Sequence, residues 1–142
     1  MATTTSGVYP CYENQFTIGG KTIADCESFS VSFDNGVEEW RPVEEKGWVR
    51  SLLTAKGVTV TVTGKRSVGD DGNDLVASLA WANGRDAEKD FVWNFPDGTK
   101  VEFKDAVINV TNIGSADAAD VAPLEFEVQS NGKPTVTPAA GA

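Results

Sequence analysis

The run Asp70-Asp71-Gly72-Asn73-Asp74 groups three carboxylates within five residues, a density that invites a calcium reading. An EF-hand loop needs oxygen ligands at alternate positions, Gly at the sixth and Glu at the twelfth. Counted from Asp70 these positions hold Leu75 and Trp81, so the run reads as a helix-capping end instead. Glu38-Glu39 and Glu44-Glu45 could supply paired carboxylates for glycoside hydrolysis, but Arg41 and Lys46 beside them point to a solvated, charged surface. Trp40, Trp48, Trp81 and Trp93 could stack on sugars; packing or an oligomer interface is the commoner fate of tryptophan. Asn109-Val110-Thr111 matches a glycosylation acceptor and is discarded as a chance tripeptide. With no histidine and only Cys11 and Cys26, Ser–His–Asp, Cys–His and zinc chemistry are all excluded within one chain. No catalytic residue, metal or cofactor is expected.

The elements that carry these residues belong to one domain, since 142 residues is close to the typical domain length of about 150. Twelve basic against 21 acidic residues give a formal charge of −9, which opposes attraction to a phosphate backbone. The N-terminal residues show neither a basic n-region nor an apolar h-region, and no stretch is apolar enough to span a membrane. Synthesis in a reducing cytoplasm and two free thiols are the matching expectation.

Hydrophobic periodicity is mostly that of strands. Residues 1–13 read as an extended N-terminal arm and residues 133–142, with Pro134 and Pro138, as a flexible C-terminal tail. Phe16-Thr17-Ile18 and Lys21-Thr22-Ile23 flank Gly19-Gly20 as a short hairpin. Phe29, Val31 and Phe33 alternate with serines up to a turn at Asp34-Asn35-Gly36, and residues 34–50 read as a long loop or loosely paired hairpin. Residues 48–54 pair with the strand Val58-Thr59-Val60-Thr61-Val62 through a turn at Lys56-Gly57. Residues 91–95 and 100–110 form a hairpin about Pro96-Asp97-Gly98-Thr99, and residues 124–128 form the last strand. One segment has helical spacing: Leu75, Leu79 and Ala82, flanked by Val76 and Ala80, predict a helix over about 72–83 with Asp71 as N-cap and Gly84 at its end. The fold class is therefore mainly β, an antiparallel β-sandwich or half-barrel with one flanking α-helix.

The strand faces differ in chemistry. Ser28, Ser30 and Ser32, Thr59, Thr61 and Thr63, and Glu125 and Glu127 make one side small, hydroxylated or acidic, while Phe and Val fill the other. These strands lack the edge lysines with which exposed sheets discourage pairing. A solvated sheet face would account for the same pattern.

Taken together, the Trp-bearing segment around Glu39-Trp40 and Gly47-Trp48, the run Val58-Thr59-Val60-Thr61-Val62-Thr63-Gly64-Lys65, the helical insert from Asp70 to Gly84, the Phe95-Pro96-Asp97-Gly98-Thr99 turn and the terminal Leu124-Glu125-Phe126-Glu127-Val128 with Asn131-Gly132-Lys133-Pro134 resemble the major tail protein (tail tube protein) of long-tailed bacteriophages. The resemblance spans residues 14–136. It implies a structural, non-enzymatic virion protein, made in the host cytoplasm, whose hexameric rings stack into a tube that passes DNA. It also implies tape-measure, tail-tip and tail-terminator partners. On that basis the serines, threonines and glutamates named above are the lumen-facing candidates. Residues 34–50 correspond to the family's long loop, which makes Glu38, Glu39, Trp40, Arg41, Glu44, Glu45 and Trp48 the ring-stacking candidates.

Two other readings fit the same residues. The chain could form the inner tube of a contractile tail, a tail-like bacteriocin or a secretion system. It could also be a monomeric Ig-like or carbohydrate-binding module that uses Trp40 or Trp48.

Overall fold

The computed structural model describes residues 7–138, so parts of the predicted arm and tail (1–6 and 139–142) lie outside the described residues. Among the described residues, eight strands form one antiparallel sheet: β1 (Gln15–Ile18), β2 (Lys21–Thr22), β3 (Cys26–Trp40), β4 (Arg50–Lys65), β5 (Glu88–Asn94), β6 (Lys100–Asn112), β7 (Pro123–Gln129) and β8 (Thr135–Thr137). Their order is β2-β1-β5-β6-β7-β4-β3, with β8 also paired to β6. A helix, α1 (Asp71–Leu79), lies between β4 and β5 in sequence.

The sheet folds over its own core. β6 belongs to both halves: Lys100 to Val107 pair with β5, across a register shift between Phe103 and Ala106, whereas Val107 to Asn112 pair with β7. The bend falls at Asp105, whose φ of 51° is left-handed, where a non-glycine residue needs support. Its backbone N–H donates to Asp90 Oδ1 at 2.9 Å, and its carbonyl accepts from Asn131 Nδ2 at 3.2 Å. Across the fold, Phe16 of β1 meets Phe29 of β3 edge to face with ring centres 5.1 Å apart, and Phe91 of β5 lies 6.4 Å from Phe126 of β7. Val60, Val62, Ile108, Leu124 and Val128 complete this buried interior. Period-two alternation explains why these residues point inward together.

The β1–β2 hairpin has its predicted glycine turn, with φ of 56° at Gly19 and 83° at Gly20. The helix is shorter than expected and differently capped. Asp70, not Asp71, is the N-cap: its Oδ2 accepts from the N–H of Asn73 at 3.0 Å and of Ala24 at 3.1 Å, tying the helix to the β2–β3 connection. The helix stops at Leu79 because Trp81 and Ala82 donate to carbonyls three residues back, tightening the last turn. The buried face is centred on Gly72, Asn73, Val76, Ala77 and Leu79, so Leu75 and Ala82 lie at its margin.

Two further expectations are corrected. Asp34-Asn35-Gly36 is no turn, and neither is Lys56-Gly57: both lie inside one long β3–β4 hairpin, where Asp34 pairs with Gly57 and Asn35 with Lys56. Backbone pairing across from each other satisfies both segments, which outweighs the local turn chemistry of Asp-Asn-Gly. Of the two readings of residues 34–50, the paired hairpin holds, and the loop itself is confined to residues 41–49, with a single 3-10 turn at Val43–Glu45. In the region expected to be a flexible tail, β8 pairs with Lys100 to Glu102 of β6. The arm contains a 3-10 turn at Cys11–Glu13.

Candidate functional site

Four strands carry the polar face. β3, β4, β7 and β6 lie side by side, and their register runs polar residues across the sheet in rows. Ser30 sits opposite Thr61, Thr61 opposite Glu127, and Glu127 opposite Asn109. The neighbouring rows join Ser32, Thr59 and Gln129 on one side, and Ser28, Thr63, Glu125 and Asn112 on the other. All eight residues singled out from the sequence as a lumen face therefore share one side of the sheet, directed away from the core.

The face is held by hydrogen bonds rather than packing. Asn109 Nδ2 donates to Glu127 Oε2, and Asn112 Nδ2 to Glu125 Oε2, both at 3.0 Å. Asn109, Asn112 and Gln129 were not singled out from the sequence. The alternation of Ile108 and Val110 on β6 carried the signal, since it sends Asn109 to the same side as Glu127. The nearest cation along β4 is Lys65, two residues beyond Thr63, and Glu27 Oε1 holds its Nζ at 3.2 Å. That pair is half-exposed and contributes little to stability, but it offsets the positive charge at this end of the ladder.

The second element is the distal half of the β3–β4 hairpin. Past Phe33 and Val58 it leaves the core, with a register shift between Gly36 and Val37. There it exposes Val37, Leu52 and Leu53 on its strands and Val43 and Trp48 on its tip, the last two 92% and 77% accessible. Glu38 pairs with Leu52, Glu39 with Ser51 and Trp40 with Arg50, while Arg41, Glu44 and Glu45 lie at the tip. The seven stacking candidates are thus gathered on one projection. Apolar and charged side chains stand exposed together on this projection.

The remaining chemistry is structural. Asp70 is committed to the cap, and Asp74 Oδ1 accepts from Arg66 at 2.8 Å. Among the described residues no cluster of His, Cys, Asp or Glu could hold a metal ion. Both cysteines are free thiols; burial, then the nearby Asp25 and Asp70 charges, push Cys26 from its ordinary 9.0 up to about 11. Trp93 is no sugar platform, because its ring packs against the core and its Nε1 donates to Asn14 Oδ1 at 2.9 Å. Asn109-Val110-Thr111 lies within β6, where Asn109 is already bonded to Glu127. No helix among the described residues is long and apolar enough to cross a membrane.

A family model described as phage tail tube protein matches residues 1–129. Among solved structures, the chain is similar to a protein in the tail of an empty gene transfer agent particle, refined with C6 symmetry, at a TM-score of 0.71 and 19% identity; the match covers 92% of this chain and all of that one. A protein of the native gene transfer agent virion matches at a TM-score of 0.73 and 16% identity over the same shares. One from the sheath/tube terminator of an extracellular contractile injection system matches at 0.66 and 15%, covering 95% of this chain and all of that one. No curated protein sequence matches closely enough to count as a relative.

Proposed function

Because the chain belongs to the phage tail tube protein family, a structural rather than enzymatic one, we propose that six copies close into a ring and that rings stack into the tube through which DNA leaves the virion. The observation that carries this reading is the four-stranded sheet with polar rows on its outer side and two strands that end it without strand partners. Among the described residues, no strand lies beyond β3, or beyond β6 from Ile108 to Asn112. Successive pairs are antiparallel, so β3 and β6 run in opposite directions. The β6 of one subunit can therefore meet the β3 of the next as a further antiparallel pair. Ring closure removes both edges at once.

The dimensions suit the task. Four strands from each of six subunits, about 4.8 Å apart and tilted about 40°, close at a backbone radius of roughly 24 Å. The Ser, Thr, Asn and Glu rows then line the bore. Six chains of formal charge −9 carry about −54 per ring, and the wall has hydroxyl, amide and carboxylate groups where a cation would hold phosphate. The long hairpin, with its exposed Trp40 and Trp48, then reaches toward the adjacent ring. Subunits made in the host cytoplasm would be added along a tape-measure protein between tail-tip and terminator proteins.

Electron microscopy of the purified protein at high concentration tests the reading. Six-fold rings or hollow tubes are expected; a chain that stays monomeric at every concentration, with or without tail-tip protein, overturns it. The same geometry suits the inner tube of a contractile system, and association with a sheath protein would distinguish the two.

A further inference from the structure

The end of the fold that bears the hairpin is open. There a groove of about 570 Å³ is lined by Phe33, Lys56, Val58, Lys133, Pro134 and Val136. Its walls are the base of the hairpin and the segment leading into β8. Ser130 fixes one side, donating its N–H to the Val58 carbonyl at 2.9 Å and accepting the Val58 N–H on its Oγ at 3.0 Å. The surface is apolar apart from two lysines. Lys56 lies over the Phe33 ring with Nζ 5.3 Å from its centre, and neither lysine is ion-paired among the described residues.

The opposite end carries the complementary charge. Residues 113–122 join β6 to β7, and Asp117 accepts the Asp120 N–H at 2.9 Å in a turn that presents Ala118 and Ala119. The segment from Ser115 to Ala122 is exposed, with Val121 65% accessible, and neither aspartate is ion-paired among the described residues. Lys65 of β4 pairs beside Pro123 where this loop ends, while Thr59 pairs beside Gln129 next to the groove. Loop and groove thus mark opposite ends of one ladder, about 20 Å apart at strand rise.

We propose, resting on the tube reading above, that the β6–β7 loop of each subunit seats in this groove of a subunit in the next ring. Barrel strands run at about 40° to the axis, so the two ends of the ladder are the two faces of a ring. Rings of one orientation bring every loop toward a groove, the head-to-tail contact that propagates without closing. Asp117 and Asp120 then meet Lys56 and Lys133, and Ala118, Ala119 and Val121 cover Phe33, Pro134 and Val136. The contact joins apolar burial to two charge pairs, so it weakens with salt.

Cross-linking tests it directly. Val121→Cys and Val136→Cys are combined in a Cys11→Ser/Cys26→Ser background, and the assembled protein is oxidised with diamide and run on a non-reducing gel. A ladder extending past six subunits is expected, since axial links run along the tube, whereas links confined to one ring stop at six. Tubes by microscopy without that ladder overturn the inference and leave the tube reading intact; an absence of rings and tubes in the parent chain overturns both. As a second arm, Lys56→Glu/Lys133→Glu should yield rings without tubes, and adding Asp117→Lys/Asp120→Lys should restore tubes. Unaltered tube formation by the lysine double variant counts against the groove.

Discussion

Ser30 of β3 and Thr61 of β4 face each other across the antiparallel ladder, and the same row continues through Glu127 to Asn109, which bonds Glu127 at 3.0 Å. Four strands thus present one polar row with no cation in it. In the proposed six-membered ring, Ser30→Lys or Thr61→Lys, introduced singly, would place six positive charges around the bore and give the phosphate backbone something to hold. Both sites are solvent-facing, so folding stability should change by no more than about 0.5 kcal/mol. The expected outcome is slower DNA ejection from particles whose tails have normal length. Ejection at the parental rate would remove these two residues from the bore.

Gly72 offers a test whose sign opposes helix propensity. Alanine in a helix interior is ordinarily favoured over glycine by about 1 kcal/mol. Here a Cβ on Gly72 would land on the Thr22 carbonyl oxygen, with Ile23 Cα at 3.0 Å. The neighbour is backbone and cannot swing away, so Gly72→Ala should lower the thermal midpoint by several degrees. A variant that melts at or above the parent would show that helix and β2 separate more easily than this contact implies.

Asn73 is 0% exposed and uses both ends of its amide. Its Oδ1 accepts from Arg66 at 2.8 Å and from the Ser67 N–H at 3.0 Å, while Nδ2 donates to the carbonyls of Ala24 at 3.2 Å and Lys65 at 2.9 Å. Replacing it by leucine of similar bulk strands those groups without water. The cost should be about 2–4 kcal/mol, read as a drop in denaturation midpoint at unchanged m-value. Asn73→Asp should also destabilise, because a carboxylate cannot donate to two carbonyls.

The strand faces were legible because alternation is local: the Ser and Thr rows of β3 and β4 need only period two to be placed on one side. The β3–β4 hairpin was legible only as one of two readings of residues 34–50, because Asp34-Asn35-Gly36 and Lys56-Gly57 carry the chemistry of turns, and only pairing with each other, about twenty residues apart, makes them strands. The N-cap was misplaced by one residue for a similar reason. Asp70 is selected by the Ala24 N–H, which lies 46 residues away in sequence. Asn73 looked like part of an acidic helix start, and nothing local marks it as the buried link between three segments. Residues that serve distant backbone are the ones a linear pattern hides.

Cys26 and Cys11 should differ sharply toward thiol reagents. Cys11 is exposed, whereas Cys26 is partly buried, donates toward the Ile23 carbonyl and is pushed up to about 11. At pH 8 a thiol of that acidity is roughly one-thousandth thiolate, and the thiolate is the reactive form. One equivalent of a disulfide reagent should react quickly per folded chain and the second only on unfolding. Burial favours the neutral thiol, so its stabilising contribution is complete below pH 9.0 and is lost as pH rises through about 11. Cys26→Ser should flatten that alkaline decline. Two equally fast thiols at pH 8 would contradict the buried setting.

Trp48 separates assembly from folding. It stands at the hairpin tip, 77% exposed, and is absent from the buried core and its packed margin. Trp48→Ala should therefore leave the monomer's melting temperature within about a degree, as for other exposed substitutions. A tryptophan that becomes buried between rings is instead the kind of anchor whose truncation costs 2 kcal/mol or more per contact, and each subunit repeats that loss along the tube. The expected result is a critical concentration for tube formation raised at least thirtyfold, measured by sedimentation, with isolated rings persisting. In the parent protein, Trp fluorescence should shift to shorter wavelength as tubes form, and this variant should lose much of that shift. Tubes appearing at the parental concentration would mean that the hairpin tip stays in solvent and that ring stacking rests on other surfaces.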